Sequence, residues 1–260
     1  MDILFVHGAL VRDGRWWWQP AADLLEAETG IRSRSLALPS CGERPADGRG
    51  DTRIGAVAGA AAPAADGTEG ADGSGEPETG LVADAAALRR ALDESDEVVV
   101  VAHSYGGTVV AEAGAHPAVA HLLLVSSYLP DVGRSQGAVM SGEADPVRIG
   151  DAGYGRLGVA GYDADSFGAR FLHDGTSEQQ REAFRRVTTQ DAASFTTPTT
   201  RAGWQGVDST YLVCTDDRST STALQREHAA RATRSVDVPT GHHPFLTRPD
   251  LVVAQLRAFG

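Results

Sequence analysis

Lysine is absent from the 260 residues, and so is asparagine; all 23 basic residues are arginine. Both missing residues have A-rich codons, so the composition points to a GC-rich, bacterial source. The chemical consequence is sharper. Without a lysine amine there is no Schiff base, no P-loop lysine and no lysine general base. Cysteine is scarce too: Cys41 and Cys214 stand alone, without metal or redox spacing. No run reaches the roughly 18 apolar residues of a membrane-spanning helix. Met1-Asp2 leads straight into Ile3-Leu4-Phe5-Val6, without the basic and apolar regions of a secretory leader. A cytoplasmic protein with no membrane partner is expected. Thirty-five acidic residues against the 23 arginines give a net charge of -12, which argues against nucleic acid as a partner.

What is present reads as one large α/β domain carrying an insertion. Four short apolar runs, 3–6, 98–102, 122–126 and 210–214, have the length and flanks of buried parallel strands, with weaker candidates at 31–38 and 235–238. Helical patterns separate them at 16–28, 81–92, 105–114, 221–231 and 249–259, the last with a proline in its first turn. Strand and helix alternate, which predicts a doubly wound, mostly parallel sheet. Two stretches break the alternation. Residues 42–80 hold ten of the 30 glycines and almost no large apolar side chains, the composition of a disordered or poorly packed insertion. Residues 130–205 are rich in aromatics and contain a helical pattern at 177–187. They read as a mainly helical cap between two parts of a core, 1–129 and 206–260.

The most specific motif is Ala102-His103-Ser104-Tyr105-Gly106, where an apolar strand meets a helix. Small-x-Ser-x-small is the pattern of a nucleophile elbow: a strained turn lifts the serine Oγ above the sheet, and small neighbours let strand and helix approach. A dinucleotide loop would instead show glycines before the helix and an acid about twenty residues on. Serine needs a base, and the base needs an acid to orient it. Asp216 and Asp217 follow the run at 210–214, and His242 and His243 follow the last strand. Spacing alone leaves both pairs open. The other histidines show no metal-ligand spacing, and neither a metal nor a cofactor is expected.

With Phe5-Val6-His7-Gly8-Ala9-Leu10, Ala102–Gly107 and Tyr211–Arg218 followed by His242, the sequence resembles the α/β-hydrolase superfamily. Within it, the likeness is to the plant methylesterase and hydroxynitrile lyase branch and its bacterial esterase relatives. The resemblance implies an α/β-hydrolase fold, with His7 holding the oxyanion loop. It implies a catalytic triad of Ser104, Asp217 and His242, and an oxyanion hole from the N–H groups of Ala9 and Tyr105. Leu10, Trp17, Tyr128, His243 and Phe245 are expected to touch the substrate, with one ring of Trp16-Trp17-Trp18 at the pocket mouth. Lyases of this branch use a lysine after the catalytic histidine. Here that position is His243, expected at most to polarise a substrate oxygen. The expectation is a serine hydrolase acting on a small to medium, largely apolar ester or thioester. The alternatives are a non-hydrolytic biosynthetic enzyme of the same fold, or a ligand-binding receptor, which would usually show a broken triad.

Overall fold

In the computed structural model, residues 1–44, 51–54, 78–113 and 115–259 are described, with 51–54 described as backbone only. The strands in chain order are β1 (Asp2–Val6), β2 (Ser33–Leu36), β3 (Asp51–Ile54), β4 (Val98–His103), β5 (Val119–Val125), β6 (Ile149–Gly153), β7 (Arg156–Val159), β8 (Gln190–Asp191), β9 (Ser209–Cys214) and β10 (Arg234–Val238). The helices are α1 (Gly14–Thr29), α2 (Gly80–Asp93), α3 (Gly106–Ala113), α4 (Gln136–Met140), α5 (Ala164–Phe171), α6 (Ser177–Phe184), α7 (Ala193–Thr196), α8 (Thr222–Ala229), α9 (Pro244–Thr247) and α10 (Pro249–Leu256). None of them is long and apolar enough to cross a membrane, among the described residues.

Seven strands form the main sheet in the order β10-β9-β5-β4-β1-β2-β3. All neighbours pair in parallel except β3, which runs antiparallel to β2 at the edge. This is the mostly parallel, doubly wound sheet the alternation predicts. Because both faces are covered, the strands are apolar on both sides. Leu4 and Val6 of β1 join Val98, Val100 and Ala102 of β4 in one core cluster; Ile3 and Phe5 join Val99 and Val101 in the other. Residues of α2 and α3 pack in the first cluster, residues of α1 and α10 in the second. The chain leaves β1 toward β2 and β3, then returns to lay β4 on the other side of β1. That reversal opens a crevice at the carboxyl ends of β1 and β4, where a doubly wound sheet binds ligands. The loop after β1 and the turn after β4 therefore meet there.

Two features add to these expectations. Within the 42–80 stretch, Asp51–Ile54 forms an edge strand paired antiparallel to β2. Residues 45–50 and 55–77 lie outside the described residues. The cap stretch holds α4 to α7 but also a three-stranded antiparallel sheet, β6-β7-β8. Its hairpin turns at Gly153-Tyr154-Gly155, all three with positive φ (80°, 55° and 71°), which glycine adopts without strain. Tyr154 is fully exposed at the tip and takes no part in an aromatic core.

Candidate functional site

Ser104 sits between β4 and α3 with φ 53°, in the left-handed region that L side chains rarely adopt. Such strain marks a position held by its surroundings for a purpose. The surroundings are visible. A Cβ on Gly106 would lie 2.6 Å from the Val6 carbonyl oxygen, and one on Gly107 would lie 2.1 Å from that of Tyr128. The small residues of the motif are thus demanded by β1 and by the loop after β5. Leu10 after β1 (φ 61°) and Ser126 after β5 (φ 41°) share the left-handed conformation, so three strand ends around one crevice are strained.

Asp217 and His242 come from the loops after β9 and β10. His242 Nδ1 donates to Asp217 Oδ2 at 2.7 Å, which leaves Nε2 as the free lone pair. The Asp217 side chain is 0% exposed and saturated with donors. Oδ1 accepts the backbone N–H groups of Ser219 and Thr220; Oδ2 also accepts Ser126 Oγ at 2.7 Å and Gln225 Nε2 at 3.1 Å. Burial pushes its pKa up, but the charge of His242 and these hydrogen bonds outweigh it, and the carboxyl stays below the ordinary aspartate value. Asp216 is exposed.

His243 behaves differently from its neighbour. Its Nδ1 donates to the Phe171 carbonyl at 3.0 Å, and its ring stacks on Trp17 at 4.8 Å. Burial, aided by the charge of His242, pushes its pKa down to about 3. A neutral ring that donates through Nδ1 offers only a lone pair at Nε2, so His243 presents an acceptor where a polarising donor was expected. His103 is also neutral: burial, then His242 and His243, hold it well below the ordinary value. Its Nε2 donates to the His242 carbonyl at 3.0 Å and steadies the loop that carries His242.

A second buried network lies on the other side of Ser104. Tyr105, directly after the serine, turns its side chain into the core, where its hydroxyl donates to Asp84 Oδ2 at 2.7 Å. Asp84 also accepts Ser40 N at 3.0 Å and Ser40 Oγ at 2.5 Å. Ser40 Oγ in turn accepts Gln190 Nε2, and Gln190 Oε1 accepts the Leu10 N–H at 2.9 Å. The chain Tyr105–Asp84–Ser40–Gln190–Leu10 therefore ties the residue after the nucleophile to the loop bearing Ala9. Asp84 is fully buried, and burial outweighs its hydrogen bonds and the charge of His7 to raise its pKa. Glu43 anchors the same loop from outside. Oε2 takes His7 Nε2 at 2.7 Å and Leu38 N, while Oε1 takes the N–H groups of Asp13 and Gly14 at the start of α1. Burial alone would lower the His7 pKa and raise that of Glu43; their pairing reverses both directions. His7 thus does hold the loop, through a partner the sequence did not name.

Ser104, His242, Ala9, Leu10, Tyr128 and His243 line one cavity, which the cap closes with Phe167, Phe171, Phe195 and Met140. Of the expected substrate contacts, Leu10, Tyr128 and His243 reach it. Trp17 and Phe245 do not: both are buried behind it, Trp17 under His243 and Phe245 against Trp18. Large flat rings are better spent fixing α1 and α9 to the sheet than standing at a wet pocket mouth. The side chains of Asp84, Gln190, Glu43, Ser126 and Gln136 were missed. Asp84 alone had a readable signal, as an acid on the apolar face Leu81, Asp84, Leu88 of α2.

Against known proteins, the model described as the alpha/beta hydrolase family matches residues 3–255. Alpha/beta hydrolase nvfD of Aspergillus novofumigatus is 27% identical over 190 residues, 66% of this chain and 74% of that protein. The crystal structure of a pyrethroid hydrolase from Sphingobium faniae superposes with a TM-score of 0.73 at 20% identity, covering 100% of this chain and 96% of that one. A plant methylesterase, from Arabidopsis, superposes with a TM-score of 0.67 at 16% identity, covering 100% and 98%. The likeness to plant methylesterases and to bacterial hydrolases thus extends from motifs to the whole fold. With a family match running almost from end to end, this chain belongs to the α/β hydrolase family.

Proposed function

We propose that the protein is a serine hydrolase of small to medium, largely apolar, uncharged carboxylic esters or thioesters. Ser104 Oγ attacks the ester carbonyl while His242 Nε2 takes its proton, and Asp217 stabilises the imidazolium that forms. The oxyanion is held by the backbone N–H groups of Ala9 and Tyr105. Collapse of the tetrahedral intermediate expels the alcohol or thiol, which receives the proton from His242. Water, deprotonated by the same histidine, then cleaves the acyl-enzyme and regenerates Ser104. The observation that carries this reading is the 2.7 Å bond from His242 to a fully buried Asp217 held ionised, on the cavity that Ser104 enters from a strained turn.

The names of the neighbours, a pyrethroid hydrolase and a methylesterase, support hydrolysis as the reaction class. The cavity favours an uncharged substrate, because among the described residues no arginine or carboxylate lines it. Cyanohydrin cleavage by a lysine is excluded by the absence of lysine, and a neutral His243 is no substitute for that charge. A panel of p-nitrophenyl and methyl esters of increasing acyl length tests the proposal, with Ser104→Ala as the control. Turnover that disappears in Ser104→Ala supports it. No turnover of any ester, or turnover that survives the substitution, would reject it.

A further inference from the structure

The cavity walls are apolar except at a few points, and most of those points already have tasks. Ser104 and His242 belong to the triad, Tyr128 exchanges a hydrogen bond with Thr220 at 3.0 Å, and His103 and His243 donate to carbonyls. Of the remaining polar lining residues, Ser219 and Gln136, only Gln136 carries an amide with two N–H donors. It is the first residue of α4, 1% exposed, and lines the cavity among Met140, Phe195 and Phe167. Its Oε1 accepts the hydroxyl of Thr108 at 2.5 Å, and Thr108 lies on α3 four residues after the nucleophile. That bond fixes the amide plane relative to Ser104. With the oxygen engaged, two N–H donors remain, and among the described residues no protein atom accepts from them.

An amide buried in an apolar wall with its donors unmet is costly, so such groups are matched by a ligand or by water. A site built to hydrogen-bond a substrate oxygen discriminates strongly against the analogue that lacks it, because the unmet donor is left behind. We propose that the Gln136 amide N–H₂ recognises a second neutral acceptor oxygen of the substrate, a ketone or similar carbonyl, apart from the ester carbonyl that Ser104 attacks. A carboxylate would not serve, since among the described residues no cation lines the cavity to offset its charge. The substrate class is therefore an apolar ester carrying an additional carbonyl. This rests on the hydrolase reading for its kinetics but not for its binding.

The kinetic test compares p-nitrophenyl hexanoate, heptanoate and octanoate with their 4-, 5- and 6-oxo analogues. The expected result is a 10- to 100-fold higher kcat/KM for one oxo position in the wild type. In Gln136→Leu that ratio falls to near one, with the plain-chain esters within about threefold of wild type. A ratio within threefold at every position, or a preference that survives Gln136→Leu, overturns the proposal. A binding test stands apart from turnover. In ¹⁵N-labelled Ser104→Ala protein, the Gln136 side-chain N–H₂ signals, assigned by their loss in Gln136→Leu, shift with the favoured oxo-ester and stay in place with the plain ester. Equal shifts with both, or none with either at saturation, would refute the role even if the triad reading stands. Loss of ester turnover in every form with the selective shift intact would reject the triad reading and leave this one standing.

Discussion

Asp217 and Asp84 are both buried aspartates on either side of the same serine, and their surroundings push them in opposite directions. Asp217 faces the ring of His242 and four further donors, so burial is overcome and its carboxyl lies below the ordinary value. Asp84 faces Ser40 and Tyr105, and the charge of His7 adds only a weaker attraction, so burial prevails and its carboxyl lies above that value. The difference separates two tasks. In the proposed mechanism the acid–base side needs a permanent negative charge to support a developing imidazolium. The proposed oxyanion side needs a rigid polar brace that sets two backbone N–H groups.

The largest test of this division is Asp217→Asn. The neutral amide no longer supports a charged His242 and favours the wrong tautomer, so kcat is expected to fall by about 10³- to 10⁴-fold. Asp84→Asn leaves the triad intact and loosens the brace. Removing an oxyanion donor costs about 10²- to 10³-fold, so misaligning one should cost about tenfold in kcat, with KM nearly unchanged. Tyr105→Phe keeps the backbone donor and loses only its tether; a drop of about threefold is expected, and Asp84→Asn with Tyr105→Phe should be less than multiplicative. Equal losses in Asp217→Asn and Asp84→Asn, measured by steady-state kinetics, would erase the distinction between the two sides.

Stability against pH separates them at smaller amplitude. With its folded pKa lowered, Asp217 contributes stability that is present above the unfolded value of about 3.9 and is lost as pH falls through the folded one. Asp84, with its folded pKa raised, does the reverse: its cost appears as pH rises past about 3.9 and is complete above its folded value. Urea midpoints should show Asp84→Asn gaining on the wild type as pH rises above 4. The advantage of wild type over Asp217→Asn should shrink below 4. Slopes of the same sign for the two variants would contradict the opposite shifts.

Much of this was legible in the sequence, for definite reasons. Strands such as 98–102 are short, continuous and apolar because both sheet faces are covered, so the strand ends that carry Ser104, Asp217 and His242 could be read from the sequence. Spacing left the Asp216/Asp217 pair open and the family resemblance chose Asp217, the side chain that the turn after β9 presents to His242. The hairpin at Gly153-Tyr154-Gly155 hid behind a composition of glycine and arginine that carries little β periodicity. Trp17 was misplaced because an aromatic run marks burial without saying whether a cavity lies beyond it. Gln190 and Gln136 carried no signal at all: their roles depend on partners 180 and 28 residues away in the chain.

The central claim, that Ser104 is an activated nucleophile, is tested most directly by a fluorophosphonate read by intact-protein and peptide mass spectrometry. The predicted result is one adduct per chain, on the peptide containing Ser104, abolished in Ser104→Ala and strongly slowed in Asp217→Asn. A folded protein that takes no label, or takes it equally in Ser104→Ala, would contradict the account.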